Sequence, residues 1–258
     1  MRVALVTGAA RGIGAATVRH LVAEDYRVLA LDWCVGAAEG TGYPMATTAD
    51  LESLVASLPE GSVLPRVGDV RDPEVLADAV ASALEAWGRL DVAVAAAALI
   101  AGGLPLWEDD SLELQWAVGV RGVWNTAAAT VPAMLSGPDP SGCRFVAVAS
   151  AAGEHGLFRL AAYTTVKHAV VGLVRGLAAD LVGTGVTAVA VAPGSTRTDM
   201  LDATARIYGV DTAELADHQL LHRVLEPEEL AATIAFCCSR AGAALNGSVV
   251  NADGGFGG

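Results

Sequence analysis

Along the chain, short runs rich in β-branched residues alternate with longer Ala/Leu-rich stretches whose apolar positions recur at helical spacing. The short runs predict strands at Val3–Thr7, Arg27–Leu31, Val63–Val67, Leu90–Ala96, Arg144–Ala149, Val186–Ala192 and Ser248–Asn251. The longer stretches predict helices at Gly12–Glu24, Ala49–Leu58, Pro73–Trp87, Leu112–Leu135, Ala162–Val182 and Pro227–Cys238. Strand then helix, repeated, is the pattern of βαβ units around a parallel sheet. Strands covered on both faces read as continuously apolar, as Val186 to Val191 nearly does. Asp72-Pro73-Glu74 and Glu226-Pro227-Glu228 place proline at first helical positions beside acids that suit a helix N-terminus. Gly137 to Gly142 reads as a surface turn rather than a linker, so residues 1–258 are expected to form one domain.

Composition narrows the class. With 258 residues, 53% hydrophobic and 17% charged, the chain can bury a large core, which excludes a disordered protein. A formal charge of −13 without any local run of lysine and arginine repels a phosphate backbone, which excludes nucleic acid as a partner. Met1–Thr7 breaks at Gly8, too soon for a signal-peptide core. The apolar run from Val92 to Leu106 is interrupted by Gly102, Gly103 and Pro105. A cytoplasmic protein without a membrane partner is expected. Cys34, Cys143, Cys237 and Cys238 have neither metal-ligand nor redox spacing, so reduced thiols and no metal site are expected.

Thr7-Gly8-Ala9-Ala10-Arg11-Gly12-Ile13-Gly14 follows the first strand and opens the first helix. Gly8 permits a sharp turn, Gly12 lets backbone N–H groups approach a pyrophosphate, and Gly14 lets the helix pack on the sheet. Eighteen residues after Gly14, Asp32 ends the second strand, where a carboxylate can accept hydrogen bonds from adenosine ribose hydroxyls and repel a 2′-phosphate. The pair points to a Rossmann-type, doubly wound α/β fold: a seven-stranded parallel sheet with helices on both faces, holding NAD. Arg11 pulls the other way, since a basic residue here can attract a 2′-phosphate. Asp69, followed by Val70, ends the third strand as either a helix cap or an adenine contact.

Ser150 ends the fifth strand, Tyr163 follows thirteen residues later, and Lys167 lies one helical turn beyond Tyr163 on the same face. Moving a hydride to or from a carbon that bears oxygen requires a matching proton transfer, which a phenol of lowered pKa can perform. Lys167 would stabilise tyrosinate and hold a nicotinamide ribose, and Ser150 would hydrogen-bond the substrate oxygen. His155 and His168 are read as bystanders.

These residues resemble the short-chain dehydrogenase/reductase family over essentially the whole chain. The match rests on Thr7–Gly14, Asp69-Val70, Ser150 with Tyr163 and Lys167, Pro193 to Met200, and Asp253-Gly254-Gly255. The resemblance implies cofactor contacts from Gly8, Arg11, Gly12, Ile13, Gly14, Asp32, Asp69, Val70, Ala97, Tyr163 and Lys167. It places Pro193, Gly194 and Thr196 along the nicotinamide, puts Thr198 on its carboxamide or the phosphates, and implies a homotetramer. Two departures stand out. Ala95-Ala96-Ala97-Ala98 replaces Asn-Asn-Ala-Gly, removing side-chain amides that would tie the strand down. Gly119 occupies the position of the family's catalytic asparagine, and can still permit a helix distortion that exposes a carbonyl to a relay water. Asn125 lies too far along to inherit that role.

Tyr43 to Leu51 is also similar to the insertion of actinobacterial members associated with the redox cofactor mycofactocin, which implies an NAD that does not exchange and mycofactocin as electron acceptor. Such a segment is expected either to cover the adenosine half or to be a surface loop with a short helix. Residues 199–226 are expected to form the flap over the substrate, with Met200, Leu201, Ile207, Tyr208, Leu220 and Leu221 favouring a hydrophobic secondary alcohol or ketone. Two other readings remain: an NADPH-dependent 3-oxoacyl (acyl-carrier-protein) reductase, which Asp32 disfavours, and a non-catalytic nucleotide-sensing protein, suggested by Gly119 and the four alanines.

Overall fold

The computed structural model describes residues 1–38 and 40–257. The β-branched runs form β1 (Arg2–Thr7), β2 (Tyr26–Asp32), β3 (Val63–Val67), β4 (Val92–Ala95), β5 (Arg144–Val148), β6 (Thr187–Pro193) and β7 (Val249–Ala252). They make one all-parallel sheet in the order β3-β2-β1-β4-β5-β6-β7. The order reverses between β1 and β4, which opens a crevice beyond the carboxyl ends of the strands.

The helices are α1 (Gly12–Ala23), α2 (Thr48–Ala56), α3 (Pro73–Trp87), α4 (Leu112–Trp116), α5 (Gly122–Ser136), α6 (Ala161–Asp180), α7 (Asp199–Tyr208) and α8 (Pro227–Cys238). Strand alternation sends Ala4, Val6, Val28, Val92, Val94 and Val146 to one face, where Val18 and Leu21 of α1, Leu51 of α2 and Ile234 of α8 meet them. Their neighbours point the other way: Leu5 and Leu29 pack on Leu76 and Val80 of α3, and Phe145 and Ala147 pack under α5 and α6. Fully burying each Leu or Val contributes about 1.5–3 kcal/mol. The alanine-rich strands on the second face let α5 and α6 lie close to the sheet. Among the described residues, no helix is long and apolar enough to cross a membrane.

The single helix expected over Leu112–Leu135 is instead α4 and α5 joined by a π-helical turn at Ala117–Arg121, with Gly119 at its centre. Glycine tolerates that irregular backbone. The flap contains a helix, α7, that was not expected. Thr198 starts it by accepting a hydrogen bond from the Leu201 amide, and left-handed Gly209 ends it.

Candidate active site

A cleft of about 260 Å³ runs along the carboxyl edge of the sheet, from Asp32 at one end to Tyr163 and Phe256 at the other. All sixteen site residues expected from the sequence line it: Gly8, Arg11, Gly12, Ile13, Gly14, Asp32, Asp69, Val70, Ala97, Ser150, Tyr163, Lys167, Pro193, Gly194, Thr196 and Thr198.

At the glycine-rich end the turn is dictated by crowding. Gly8 has φ +66°, and a Cβ there would lie 2.8 Å from the Ala97 backbone. A Cβ on Gly14 would fall 1.9 Å from the Gly8 carbonyl oxygen. Arg11, at the N-cap of α1, supplies no side-chain cap, whereas Thr47, Asp72 and Thr198 each cap their own helix. The first N–H groups of α1 therefore face the cleft as anion donors. The four-alanine run is tied down from the opposite strand: Thr7 Oγ1 accepts hydrogen bonds from the Ala96 and Ala97 amides at 3.2 and 3.3 Å.

Asp32 is fixed by two backbone donors, the amides of Ala10 (2.9 Å) and Cys34 (3.2 Å), one to each carboxylate oxygen. Each oxygen keeps acceptor capacity for a ribose hydroxyl. Arg11 turns away from this end and pairs with Asp199 at 2.9 Å, linking the glycine-rich loop to the flap. Both groups are partly exposed, so the pair matters for geometry more than for stability. Asp69 is held by Arg71 at 2.5 and 2.8 Å, and the Arg71 guanidinium lies 4.6 Å from the centroid of the Trp33 ring. Sequence reasoning missed this Trp33–Arg71 stack beside the cleft. It also missed the role of Asn125, which donates to the carbonyls of Val70 and Arg71 at 3.0 and 3.1 Å and so anchors the loop carrying Asp69.

At the other end Tyr163 and Lys167 lie on one face of α6, and Ser150 lies at the tip of β5. Lys167 is only 3% exposed, and its Nζ donates to the Val148 carbonyl at 3.0 Å. Burial pulls its ammonium down to about 8. Burial pushes the Tyr163 phenol up to about 12, with the Ser150 hydroxyl acting in the opposite direction and Tyr43 adding to the rise. Beside Ser150, the Tyr163 hydroxyl meets Met200 Sδ at 3.8 Å, a weak contact that leaves it available to a substrate oxygen. Gly119 is buried in the π-turn beside α6, and a Cβ there would lie 2.5 Å from Val166 Cγ1. Val166 thus occupies the space a side chain at position 119 would need.

The segment between β2 and α2 lies over the cleft: Met45 and Ala46 line it, and Tyr43 reaches from the glycine-rich loop, where the Arg11 guanidinium lies 5.7 Å from its ring centroid, into a cluster with Ile100, Leu160, Tyr163 and Ala203. Of the flap residues, Met200 and Leu201 line the cleft and Ile207 and Tyr208 pack beside it. Leu220 and Leu221 do not: they are 80% and 53% exposed, because their backbone amides bond to Gly255 and Gly254 and hold that turn at the surface.

Over residues 8–257 the chain matches a family model described as enoyl-(acyl carrier protein) reductase. It is 39% identical over 210 residues to an uncharacterised NAD-dependent oxidoreductase of Mycobacterium tuberculosis, covering 80% of this chain and 75% of that one. It is 33% identical over 219 residues to (-)-trans-carveol dehydrogenase of Rhodococcus erythropolis, covering 81% and 77%. Among solved structures, carveol dehydrogenase from Mycobacterium avium in complex with NAD superposes with a TM-score of 0.91, at 28% identity over 98% of this chain and 96% of that one.

Proposed function

Because this chain belongs to the short-chain dehydrogenase/reductase family, we propose that it interconverts an apolar secondary alcohol and its ketone with NAD as its cofactor. The observation that carries this reading is the convergence of Ser150, Tyr163 and Lys167 at one end of a cleft whose other end is the glycine-rich loop and Asp32. The residues fit NAD. The uncapped first turn of α1 faces a pyrophosphate, the bare backbone at Gly8 and Gly14 leaves it room, and Asp32 has acceptor capacity for ribose hydroxyls. A 2′-phosphate would meet the Asp32 carboxylate while Arg11 is engaged by Asp199, which disfavours NADPH and the 3-oxoacyl reductase reading. Bound there, the nicotinamide supplies the carbon that exchanges hydride with the substrate.

The protein's own residues handle the oxygen. Ser150 Oγ hydrogen-bonds it, Tyr163 takes its proton in oxidation and returns one in reduction, and Lys167 supplies the positive charge that favours tyrosinate. We infer further that the cofactor stays in place between turnovers and is re-oxidised by an external acceptor of the mycofactocin type. The strap that buries Tyr43 over the cleft supports this. A homotetramer is supported by Trp124 and Leu135, which stand exposed along α5.

The pH dependence follows from the two burial effects. With the phenol pushed up to about 12 and the ammonium pulled down to about 8, the first proton leaves the pair near 8, and only the deprotonated pair contains a base. The kcat/KM for oxidation is therefore expected to rise about tenfold per pH unit below about 8 and to level off above it. Reduction, which needs the proton present, is expected to be level below about 8 and to fall above it. Initial rates in both directions check this, and an oxidation rate that falls as pH rises toward 8 would contradict it.

A further inference from the structure

Tyr43 sits in a connection between a strand and a helix, yet it is 7% exposed. The connection is a built strap. Its base is closed by an antiparallel bridge between Val35 and Thr47, with Gly36 N donating to Ala46 O at 2.9 Å and Met45 N to Gly36 O at 2.7 Å. Thr41, 2% exposed, places its hydroxyl between the carbonyls of Ala38 and Tyr43 at 2.8 and 2.9 Å. Pro44 restricts Tyr43 to extended backbone. Thr47 and Asp50 then cap α2 reciprocally. The result is a short, internally bonded loop that delivers one aromatic ring among Ile100, Ala152, Leu160, Tyr163 and Ala203.

We propose that Tyr43 is a specificity-determining residue of the oxidoreductase site: the wall that limits how bulky an apolar alcohol or ketone can be when its oxygen is held by Ser150 and Tyr163. This rests on the reaction proposed above. The oxygen end is anchored by residues on β5 and α6, so the size limit must come from groups facing them. Met200 and Thr204 on α7 line the same cleft, but one is flexible and the other small, so both leave the limit to a larger neighbour. A tyrosine ring, with only two rotatable side-chain bonds and its backbone held by the strap, cannot yield in that way. Deep burial raises the pKa of its phenol, outweighing the Ile100 backbone hydrogen bond and the nearby Arg11, which act the other way, and so keeps it neutral. Its part in the chamber is one of shape rather than charge. A strap that merely held itself shut would depend on Tyr43 equally for every substrate, whereas a wall discriminates by size.

The test uses the full-length protein, the variants Tyr43→Ala, Tyr43→Leu and Tyr43→Phe, and two alcohols, cyclohexanol and a fused bicyclic secondary alcohol. In Tyr43→Ala the ratio of kcat/KM, bicyclic over monocyclic, is expected to rise about 100-fold, while Tyr43→Phe, which keeps the ring, leaves it unchanged. Tyr43→Leu preserves apolar packing if the alanine variant does not fold, and is expected to raise the ratio about 10-fold. An unchanged ratio, with both substrates losing equally, overturns the proposal. Calorimetric binding of the two corresponding ketones separates the two readings. If wild-type protein turns over neither alcohol, the proposed reaction fails, yet a selective gain in affinity for the bicyclic ketone in the leucine or alanine variant still identifies the wall, and no gain refutes it.

Discussion

Replacing Tyr163 by phenylalanine is expected to lower kcat/KM for alcohol oxidation about 10³-fold while leaving the fold unchanged. The ring packs against Ile100 and Leu160 and phenylalanine keeps those contacts. The hydroxyl meets the Ser150 hydroxyl and, weakly, Met200 Sδ at 3.8 Å, so losing it should cost about 1 kcal/mol of stability. What disappears is the group that exchanges a proton with the substrate oxygen. Lys167 is a poor substitute, because its Nζ is held on the Val148 carbonyl. Steady-state rates with thermal melts as a folding control check the point. A variant with near wild-type rates would mean that the proton moves through another group, and would favour the nucleotide-sensing reading only if wild-type protein were also inactive.

The second large effect is expected at Gly14. A methyl group there would stand 1.9 Å from the Gly8 carbonyl oxygen and 2.7 Å from its carbon, both rigid backbone. The loop and the start of α1 must therefore separate, and Gly14→Ala is expected to lose about 1–3 kcal/mol of stability to overpacking. The same separation displaces the α1 amides from a pyrophosphate, and losing one hydrogen bond to a charged group, about 1.5–3 kcal/mol, weakens NAD binding about 10- to 100-fold. Titration of the purified variant with NAD measures the affinity, and denaturant melts measure the stability. Wild-type affinity in a destabilised variant would show that the loop does not hold the phosphates.

Much of this was legible in the sequence because it rests on local rules. Strand ends fall within two residues of their expected positions, since a β-branched run bounded by turn residues leaves little freedom. The glycine-rich loop, Asp32, Ser150, Tyr163 and Lys167 were identifiable because each sits at a strand end or at a fixed helical offset. What stayed hidden depends on contacts remote in sequence. Nothing local to Asp69 announces that Arg71 will hold it or that Trp33 will stack on that guanidinium. The interruption of the helix at Ala117–Arg121 reflects the packing of Gly119 against Val166, 47 residues away. Tyr43 stood out only as part of a longer than usual segment, because its destination is set by how the strap folds over the cleft. α7 is only ten residues long, and its signals were its cap at Thr198 and the helical spacing of Met200, Ala203 and Ile207.

Direct transfer between an alcohol and NAD in this cleft is tested most simply with a label. The protein, purified without added nucleotide and supplied with NAD only if none is bound, is mixed with cyclohexanol carrying deuterium on the carbinol carbon, then denatured. The released nucleotide is analysed by mass spectrometry. The expected result is one deuterium on the reduced nicotinamide, with nucleotide already bound at near one per chain if the strap retains it. Reduced nucleotide without deuterium, or cyclohexanone formed while the nucleotide stays oxidised and unlabelled, would contradict hydride transfer between this substrate and NAD.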